Sequence, residues 1–337
     1  MTIKEIAQLC GVSRGTVDRV LNKRGRVKPE TEDLILRTIA QMGYTKNIAG
    51  RALTVKRDEP VIGAVLCSEG NSFFDDIIQG FHNAISELVD YGITLSIRTM
   101  RGHNVDKQLE LIDEISDHIT ALVIQPINDP RIAAKIRELR HQGIPTITVN
   151  NDIENSSRCC YVGSDYQAGG ATAAGLMRLI TGGEANLAIV TGVDSLMGHI
   201  QRLEGFVSHL RAICPNIKFV DCESGQDNPE HSYEATKRML HRHPEIDTLF
   251  IVAAGSHGMC RAVIDLGRED IRIIAYDDVP STQAMMRRGL IKAVVCQQPL
   301  EQGYRAIRIA FDMILSDTLL NNEQIIMENQ IKIAENL

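Results

Sequence analysis

The sequence is poor in aromatic residues and in long apolar runs. Its 337 residues include no tryptophan, and aromatic residues make up only 4% of the chain. It contains no apolar run of about 18 residues, the length needed for a helix that spans a bilayer. The first residues, Met1 to Glu5, lead directly into a helical pattern, without the apolar segment of a secretory signal. We therefore expect a cytoplasmic protein without a membrane-spanning segment.

The sequence also lacks the common signatures of catalysis and of metal binding. Its ten histidines show neither H-x-x-x-H nor H-E-x-x-H spacing, and its eight cysteines form no C-x-x-C pair. The glycine pair Gly169-Gly170, which follows a strand pattern, makes neither a dinucleotide fingerprint nor a P-loop. We expect no enzyme activity, no metal and no cofactor. The cysteines are expected to be buried thiols in a reducing compartment rather than disulfides.

Charge is distributed unevenly along the chain. Residues 1–57 hold twelve Lys/Arg and five Asp/Glu, a net charge of +7, so the other 280 residues of this −7 chain carry about −14. A basic segment ahead of an acidic body indicates that the segment binds a polyanion and that the body does not.

The basic segment has the pattern of three short helices. Gly11 ends the first, Ser13 caps the second, and Pro29 suits the first turn of the third. The residues expected to form the apolar stripe of the third helix are Leu34, Ile35, Ile39 and Met42. Three helices in about 45 residues, the second exposing arginines, are typical of a helix-turn-helix.

The second helix carries the residues suited to reading DNA. At its start, Arg14 and Thr16 can reach base edges in the major groove, and Arg19 is better placed for phosphates. The following stretch, 47–53, could form two turns of helix. Because it contains Gly50 and has no core of its own, we expect that helix to order only when docked. A plain linker is the alternative for this stretch.

The segment 1–57 resembles the headpiece of the lactose-repressor (LacI/GalR) family of bacterial transcription regulators. The resemblance is carried by I-K-E-I-A-Q-L-C-G-V-S-R-G-T-V-D-R-V-L-N, by Pro29-Glu30-Thr31 and by G-Y-x-x-N before the hinge. It implies that Leu53 inserts into the minor groove and bends the DNA. The DNA-binding residues expected from the pattern and the resemblance are Ser13, Arg14, Gly15, Thr16, Arg19, Asn22, Tyr44, Asn47, Arg51 and Leu53.

Two positions in the recognition helix depart from that family. Asp18 replaces a serine beside the phosphates, and Gly15 replaces a side chain that reads a base. Base reading should therefore depend more on Arg14, on the hinge and on dimer spacing.

The remainder of the chain alternates strand-like runs with helix-length segments. The predicted strands are Val61–Cys67, Ile93–Ser96, Ala121–Gln125, Thr146–Asn150, Cys160–Gly163, Asn186–Thr191, Leu249–Val252, Ile271–Tyr276 and Ala293–Cys296. This pattern predicts βαβ units and parallel sheets, and nine or more strands favour two Rossmann-like lobes. Ligands of such sheets bind at the carboxyl ends of the strands, so the cleft between the lobes is the expected site.

Polar and aromatic side chains recur at those strand ends and suit a polyhydroxylated ligand. The candidate effector-binding residues are Asn71, Phe73, Phe74, Asn150, Asn151, His199, Arg202, Gly255, Asp277 and Gln297. Taken singly, each could be a cap or turn residue. Their recurrence at successive strand ends favours a binding site.

The body resembles the periplasmic sugar-binding-protein fold of the same family. The matching stretches include N-S-F-F-D-D-I-I-Q-G-F, I-P-T-I-T-V-N-N-D, Y-V-G-S-D-Y-Q-A-G-G, I-A-Y-D-D and C-Q-Q-P. Ribose-type members have Asp-Arg where Asn150-Asn151 stand, an arginine at Ile200 and an asparagine at Gly255. These departures argue against ribose and against an anionic effector. They favour a neutral sugar, sugar alcohol or cyclitol, with His199 as a substitute hydrogen-bond donor.

The expected architecture is an all-α helix-turn-helix headpiece plus an α/β effector domain with two Rossmann-like lobes, a type I periplasmic binding protein fold. We expect the headpiece at 1–46, a hinge helix and linker at 47–60, and the effector domain at 61–337. The N-lobe should comprise about 61–163 and 298–324, and the C-lobe about 164–297 and 325–337.

The expected function is a DNA-binding repressor whose affinity for operator DNA is set by a small effector between the lobes. The expected assembly is a homodimer or a tetramer. A ligand-responsive activator or dual regulator and a non-sugar effector stay open. A solute-binding protein without DNA function fits less well, because of the basic headpiece.

Overall fold

A computed structural model describes residues 3–21, 25, 27–42 and 48–337. Their helices are α1 (Ile3–Leu9), α2 (Arg14–Leu21), α3 (Pro29–Gln41), α4 (Ile48–Asp58), α5 (Phe73–Leu88), α6 (Val105–Ser116), α7 (Pro130–His141), α8 (Tyr166–Thr181), α9 (Met197–Ile213), α10 (Pro229–Arg242), α11 (Ser256–Asp265), α12 (Pro280–Arg287) and α13 (Pro299–Ser316). Their strands are β1 (Val61–Leu66), β2 (Thr94–Thr99), β3 (Ala121–Ile124), β4 (Thr146–Val149), β5 (Cys160–Ser164), β6 (Ala185–Thr191), β7 (Ile217–Ser224), β8 (Thr248–Ile251), β9 (Arg272–Tyr276), β10 (Ile291–Cys296), β11 (Glu323–Met327) and β12 (Gln330–Lys332).

The first three helices pack around a small core of their own. Ile6, Val17 and Ile35, one from each helix, are fully buried there. Ser13 begins α2 as predicted, since its hydroxyl accepts the backbone N–H of Thr16 at 3.1 Å.

The predicted stripe of α3 is only partly correct. Leu34 is 48% exposed and Met42 is 47% exposed, whereas Ile35 is buried. So small a core has room for one narrow face of α3, on which Ile39 packs half-buried beside Ile35, while Leu34 and Met42 are left at the surface.

The predicted hinge helix forms as α4 and continues to Asp58, five residues beyond its expected end at Leu53. Val55 is buried in the core of the first lobe, and Leu53 on the same helix is 72% exposed. Helix α4 is therefore docked on the body along one face, which supplies the partner that so short a helix requires. Asn22, Tyr44 and Asn47, expected to contact DNA, lie outside the described residues.

The body contains two six-stranded sheets. Their orders are β11-β5-β4-β3-β1-β2 and β12-β10-β9-β8-β6-β7, and every pairing is parallel except that of β10 with β12. Strand β5 ends at Ser164 and β11 continues to Met327 in the first sheet, before β12 joins the second. The expected crossing at 324/325 therefore lies inside β11, and the chain crosses between the lobes at 328–329.

The nine predicted strands correspond to nine observed strands, and β7, β11 and β12 escaped prediction. All three lie at or beside the end of a sheet, where side chains meet solvent: the sequence of β7 is I-K-F-V-D-C-E-S, and its residues are mostly exposed or half-buried. An edge strand lacks the continuous apolar run that reveals a central parallel strand.

Helices α5 and α13 cross closely on the first lobe, and two glycines allow that approach. A Cβ on Gly80 would lie 2.1 Å from the carbonyl oxygen of Leu300, and a Cβ on Gly303 would lie 2.1 Å from that of Ile77. Backbone atoms cannot give way as a flexible side chain can, so any side chain at either position forces the helices apart.

The Gly80→Ala variant should be destabilised by about 1–3 kcal/mol, because its methyl group overlaps backbone. Gly175→Ala is the matched control: Gly175 is in the interior of α8 with nothing within 4 Å of a Cβ, so alanine there should stabilise the helix by about 1 kcal/mol. Thermal melts of both variants test this pair. Equal shifts in Tm would contradict the assigned close approach.

Candidate functional site

Loops from the carboxyl ends of both sheets line a cleft with a cavity of about 280 Å³ between the lobes. This volume is at the lower end of the range for small-molecule pockets. All ten candidate effector residues from the sequence line this cleft: Asn71, Phe73, Phe74, Asn150, Asn151, His199, Arg202, Gly255, Asp277 and Gln297. The structure thus brings together the residues that the strand-end argument selected.

Asp277 is a carboxylate held inside the cleft directly after β9. Its Oδ2 accepts a 2.8 Å hydrogen bond from Nε2 of Gln297, which follows the neighbouring strand β10. Its Oδ1 and the Oε1 of Gln297 are buried and have no hydrogen-bond partner in the part of the chain that the structure describes. Burial raises the pKa of Asp277 to about 6, and the nearby Arg202 guanidinium opposes that rise. Two buried acceptors without a donor indicate a place for ligand hydroxyl groups.

Arg202 is a buried cation at the centre of the cleft and is only 3% exposed. Its guanidinium lies 3.7 Å from the ring centroid of Tyr276 and 5.1 Å from that of Tyr166. Its Nη1 donates a 2.5 Å hydrogen bond to the carbonyl oxygen of Val252. Its Nε is buried without a described partner. Arg202 thus supplies one donor to the cleft and offsets the charge of the buried carboxylates.

The asparagine pair after β4 joins the two lobes. Asn150 has a positive φ of 63°, and its carbonyl oxygen accepts hydrogen bonds from the hydroxyls of Tyr161 and Tyr166. Asn151 donates to Oδ1 of Asn150 at 3.1 Å, and its own Oδ1 accepts the backbone N–H of Gly198 at 3.2 Å. Part of the hydrogen-bonding capacity of this pair is therefore used to hold α9 of the second lobe against the first.

Two aromatic rings at the start of α5 form an apolar wall. Phe73 and Phe74 are buried in an edge-to-face pair with ring centroids 5.3 Å apart. The Oδ1 of Asn71 accepts the backbone N–H of Phe73 at 3.1 Å, so it caps the helix start at the cleft. Across the cleft, Gly255 has a φ of 103°, and a Cβ there would lie 2.3 Å from Oγ of Ser232. A side chain at position 255, such as the asparagine of ribose-type members, would be strained.

His199 is held in place as a neutral ring. Its Nδ1 lies 3.0 Å from the backbone nitrogen and 3.2 Å from the carbonyl oxygen of Val193, so the backbone engages this ring nitrogen in either neutral tautomer. Burial, followed by the charge of Arg202, lowers the pKa of His199 to about 3. The ring therefore stays neutral at physiological pH.

Sequence reasoning missed other residues that line the cleft, among them His103, Tyr166, Asp227 and Tyr276. Asp227 follows β7, the edge strand that was not predicted, so its loop was never recognised as a strand end. His103 follows β2, whose predicted end at Ser96 fell three residues short of Thr99. A strand-end search that admitted polar edge strands could have found both.

The helix-turn-helix presents its reading face to solvent. Ser13, Arg14, Gly15 and Arg19 are exposed, and Thr16 is half-buried with its hydroxyl 2.8 Å from that of Ser13. A Cβ at Gly15 would meet only Oγ of Ser13, at 3.8 Å. Position 15 therefore has room for a reading side chain that this protein does not have.

Arg51 lies elsewhere than expected. Its Nε donates to the carbonyl oxygen of Leu315 at 2.5 Å and its Nη2 to that of Ile314 at 3.2 Å, both in the last turn of α13. Asp317 completes an ion pair at 3.5 Å. This guanidinium satisfies the unpaired carbonyls at a helix end, which explains why it is turned toward the body and away from a DNA-facing position.

Comparisons with known proteins agree with both parts of this description. The profile of bacterial regulatory proteins of the lacI family matches residues 2–47, and that of the periplasmic binding protein domain matches residues 62–317. The chain carries the DNA-binding domain of the lacI family of bacterial regulatory proteins. Its body is a periplasmic binding protein domain of the type I fold, and it is a DNA-binding transcription regulator.

Several relatives match this regulator along most of its length. The probable HTH-type transcriptional repressor ExuR of Bacillus subtilis (strain 168) is 27% identical, covering 86% of this chain and 85% of its own. The ribose operon repressor of the same strain is also 27% identical, covering 94% and 93%. Among solved structures, a chain of the XylFII-LytSN complex is 27% identical with a TM-score of 0.75, covering 82% of this chain and 99% of its own. By their names, ExuR and the ribose operon repressor are regulators of transcription. Within the described residues no helix is both long and apolar enough to cross a membrane.

The raised pKa of Asp277 predicts a pH-dependent stability. In the unfolded chain this carboxyl has a pKa of about 3.9. Because the folded value is about 6, the native state holds the proton more tightly, and the fold loses stability as the pH rises from about 4 through about 6. The loss amounts to as much as about 3 kcal/mol at pH 7.5.

The Asp277→Asn variant removes this titration. In buffer without ligand, its Tm should exceed that of the wild type at pH 7.5 by more than at pH 4.5. Asp194→Asn, at an exposed carboxylate on the same lobe, is the control and should show no such pH-dependent gain. A gain for Asp277→Asn that is equal at both pH values would contradict the assignment.

Proposed function

We propose that this regulator is a repressor that acts as a homodimer and whose operator affinity is controlled by an uncharged sugar, sugar alcohol or cyclitol in the cleft. The observation that carries the effector assignment is the buried Asp277–Gln297 pair, which offers two unfilled acceptors beside the Phe73–Phe74 wall. Hydroxyl groups suit such acceptors, and the C–H face of a polyol suits an aromatic ring. The ribose operon repressors among its relatives support a carbohydrate effector.

The DNA-binding part of the proposal rests on the exposed start of α2. Arg14 would read bases in the major groove, and Arg19 would contact phosphate. Two headpieces of a dimer would read two half-sites, so the spacing between them contributes to specificity. Leu53, which is 72% exposed on α4, would act as a minor-groove wedge.

Helix α13 provides a physical route from the cleft to the hinge helix. At its start, Nε2 of the buried Gln302 donates to the carbonyl oxygen of Gln297 at 2.7 Å, and Gln297 holds Asp277. The helix has 18 residues, so its other end lies about 27 Å away. There the last carbonyl oxygens accept hydrogen bonds from Arg51 of α4. A ligand that moves Gln297 would therefore bias the docking of the hinge helix. This makes α4 the two-state element shared by effector and DNA.

The effector assignment is tested by thermal shift against uncharged sugars, polyols and cyclitols. A compound that binds only the native state raises the Tm, by an amount that grows with its concentration relative to Kd. The compound that raises the Tm should also change operator affinity in a gel shift. In Asp277→Ala both effects should be lost while operator binding without ligand persists. A normal response of Asp277→Ala would remove this residue from the site.

The DNA assignment predicts a steep dependence of operator affinity on salt. Each neutralised phosphate contributes a slope of about −0.9 in log K against log salt, so several contacts lower the affinity by orders of magnitude between about 50 and 200 mM. A gel-shift titration measures the slope. A change of less than twofold over this range would contradict the assigned interface.

Leu53→Ala should weaken binding to the operator much more than binding to random DNA, because only the specific complex is bent around the wedge. Leu36→Ala is the matched control, since Leu36 is also exposed, at 47%, but lies on α3. Equal losses for the two kinds of DNA would rule out a wedge at Leu53.

A further inference from the structure

The cleft has two ends, and the strand order separates them. Asn150 and Asp277 follow β4 and β9, while His103 and Asp227 follow β2 and β7 at the edges of the two sheets. In each sheet the two strands are three spacings apart, which is about 14 Å. We call the first pair of loops the crossover end and the second pair the edge end. The effector residues expected from the sequence include Asp277 at the crossover end and no carboxylate at the edge end.

Three titratable side chains meet at the edge end, and they come from both lobes. Oδ2 of Asp227 lies 3.7 Å from Nδ1 of His199 in the second lobe. His103, from the first lobe, lies close enough to both that their charges act on its pKa: Asp227 raises it, His199 lowers it, and burial lowers it most. These groups therefore face one another across the cleft.

Asp227 has an acceptor that nothing in the described chain fills. Its Oδ1 is buried without a hydrogen-bond partner there, and its side chain is only 13% exposed. The 3.7 Å separation from His199 is too long for a hydrogen bond, and the Nδ1 of that ring is already engaged by the backbone of Val193. An unpaired buried carboxylate oxygen is costly, so its retention in a cleft points to a ligand. Burial raises the pKa of Asp227 to about 6, in parallel with Asp277.

The loop that carries Asp227 is held in an unusual conformation. Gln226 and Asp227 have positive φ angles of 50° and 55°. The loop is fixed by hydrogen bonds from the backbone N–H of Gly225 to the carbonyl oxygen of Thr191 at 2.8 Å and from Asn228 to that of Gly225 at 2.9 Å. Non-glycine residues rarely occupy this region of backbone space, and strain of this kind accumulates at ligand-binding loops. The fold thus bears a cost in order to present this carboxylate.

The chemistry of the edge end selects the kind of group that binds there. Asp227 accepts hydrogen bonds, and the Nε2 of the neutral His199 donates or accepts according to the tautomer of the ring. A hydroxyl group can both donate and accept, and adjacent hydroxyls match this pair. Among the described residues no set of three His, Cys, Asp or Glu side chains is arranged to hold a metal ion, so hydrogen bonding is the chemistry available.

We propose that Asp227, with His199 and His103, forms a second hydroxyl-binding subsite, so that the effector is an uncharged polyol bearing hydroxyl groups at both of its edges. The proposal rests on the proposed effector function of the cleft and adds the residues that select hydroxyl groups at its second end. Because a carboxylate stands at each end, an anionic ligand such as a uronate meets a like charge in either orientation. Arg202, the buried cation of the cleft, acts on both carboxylates and is already shared between them, and Arg101, which also lines the cleft, is exposed to solvent.

Isothermal titration calorimetry of the full chain tests the proposal with matched pairs of probes. The pairs are D-glucose with D-glucuronate and D-galactose with D-galacturonate, and myo-inositol is a cyclic polyol without a charged counterpart. At least one uncharged probe should bind the wild type, and a corresponding uronate should bind at least tenfold more weakly. Asp227→Asn should raise the Kd of the uncharged ligand by about 10- to 100-fold, the range expected for losing a hydrogen bond to a charged group.

The controls separate a subsite from a general effect on the fold. Asparagine tolerates positive φ, so Asp227→Asn keeps the loop shape, and His103→Gln offers a second variant on the opposite lobe, which should also weaken binding. Asp194→Asn removes an exposed carboxylate that also acts on His199 but is not among the residues that line the cleft, and it should leave Kd within twofold.

The outcomes distinguish this proposal from the broader one. If Asp277→Ala abolishes polyol binding while Asp227→Asn leaves Kd within twofold, the effector cleft stands and the edge subsite is wrong. Tighter binding of a uronate than of its uncharged partner would overturn the ligand class. If no uncharged probe binds, the proposed effector function fails as well.

Discussion

The cleft depends on one buried guanidinium. Arg202 is 3% exposed, is packed over Tyr276, and is held by the carbonyl oxygen of Val252. Its charge lowers the pKa of both Asp277 and Asp227, against the opposing effect of burial. Arg202 helps both carboxylates to stay charged, since an unpaired buried charge shifts its pKa and becomes neutral, and His103 acts in the same direction on Asp227. The recognition surface is thus a set of acceptors supported by one central positive charge.

The same arrangement explains why the cleft is less stable than a packed core. Several of its polar atoms have no partner among the described residues, among them Oδ1 of Asp277, Oδ1 of Asp227 and Oε1 of Gln297. Each is an unfavourable feature of the protein alone and a favourable one for a ligand that donates to it. Binding would therefore stabilise the closed arrangement of the lobes, which the Asn151–Gly198 hydrogen bond already spans.

The hinge helix connects this cleft with the headpiece. Helix α4 has one face on the body and one in solvent. Arg51 and Val55 contact the body, and Leu53 is exposed. A short helix with a glycine inside has little stability of its own, so its docking on α13 decides whether it is present. Helix α13 also begins at the cleft, and it is packed tightly on α5 through Gly80 and Gly303. Because such packing leaves little room for local adjustment, a shift at one end of α13 should also move its other end.

The sequence by itself determined the architecture and most of the crossover end of the cleft. Apolar runs revealed the nine more buried strands, the caps at Ser13 and Pro29 located helices, and polar residues after those runs identified Asp277, Gln297 and Asn150. Each of these signals is local, because a buried strand or a helix start leaves its mark within a few neighbouring residues. Only the tertiary structure decided that His103 faces Asp227, that Arg51 caps α13, and that Leu34 is left exposed. These outcomes depend on strand order and on the size of a core. Both are set by contacts between segments that are distant in the sequence, and such contacts leave no periodic pattern in either segment.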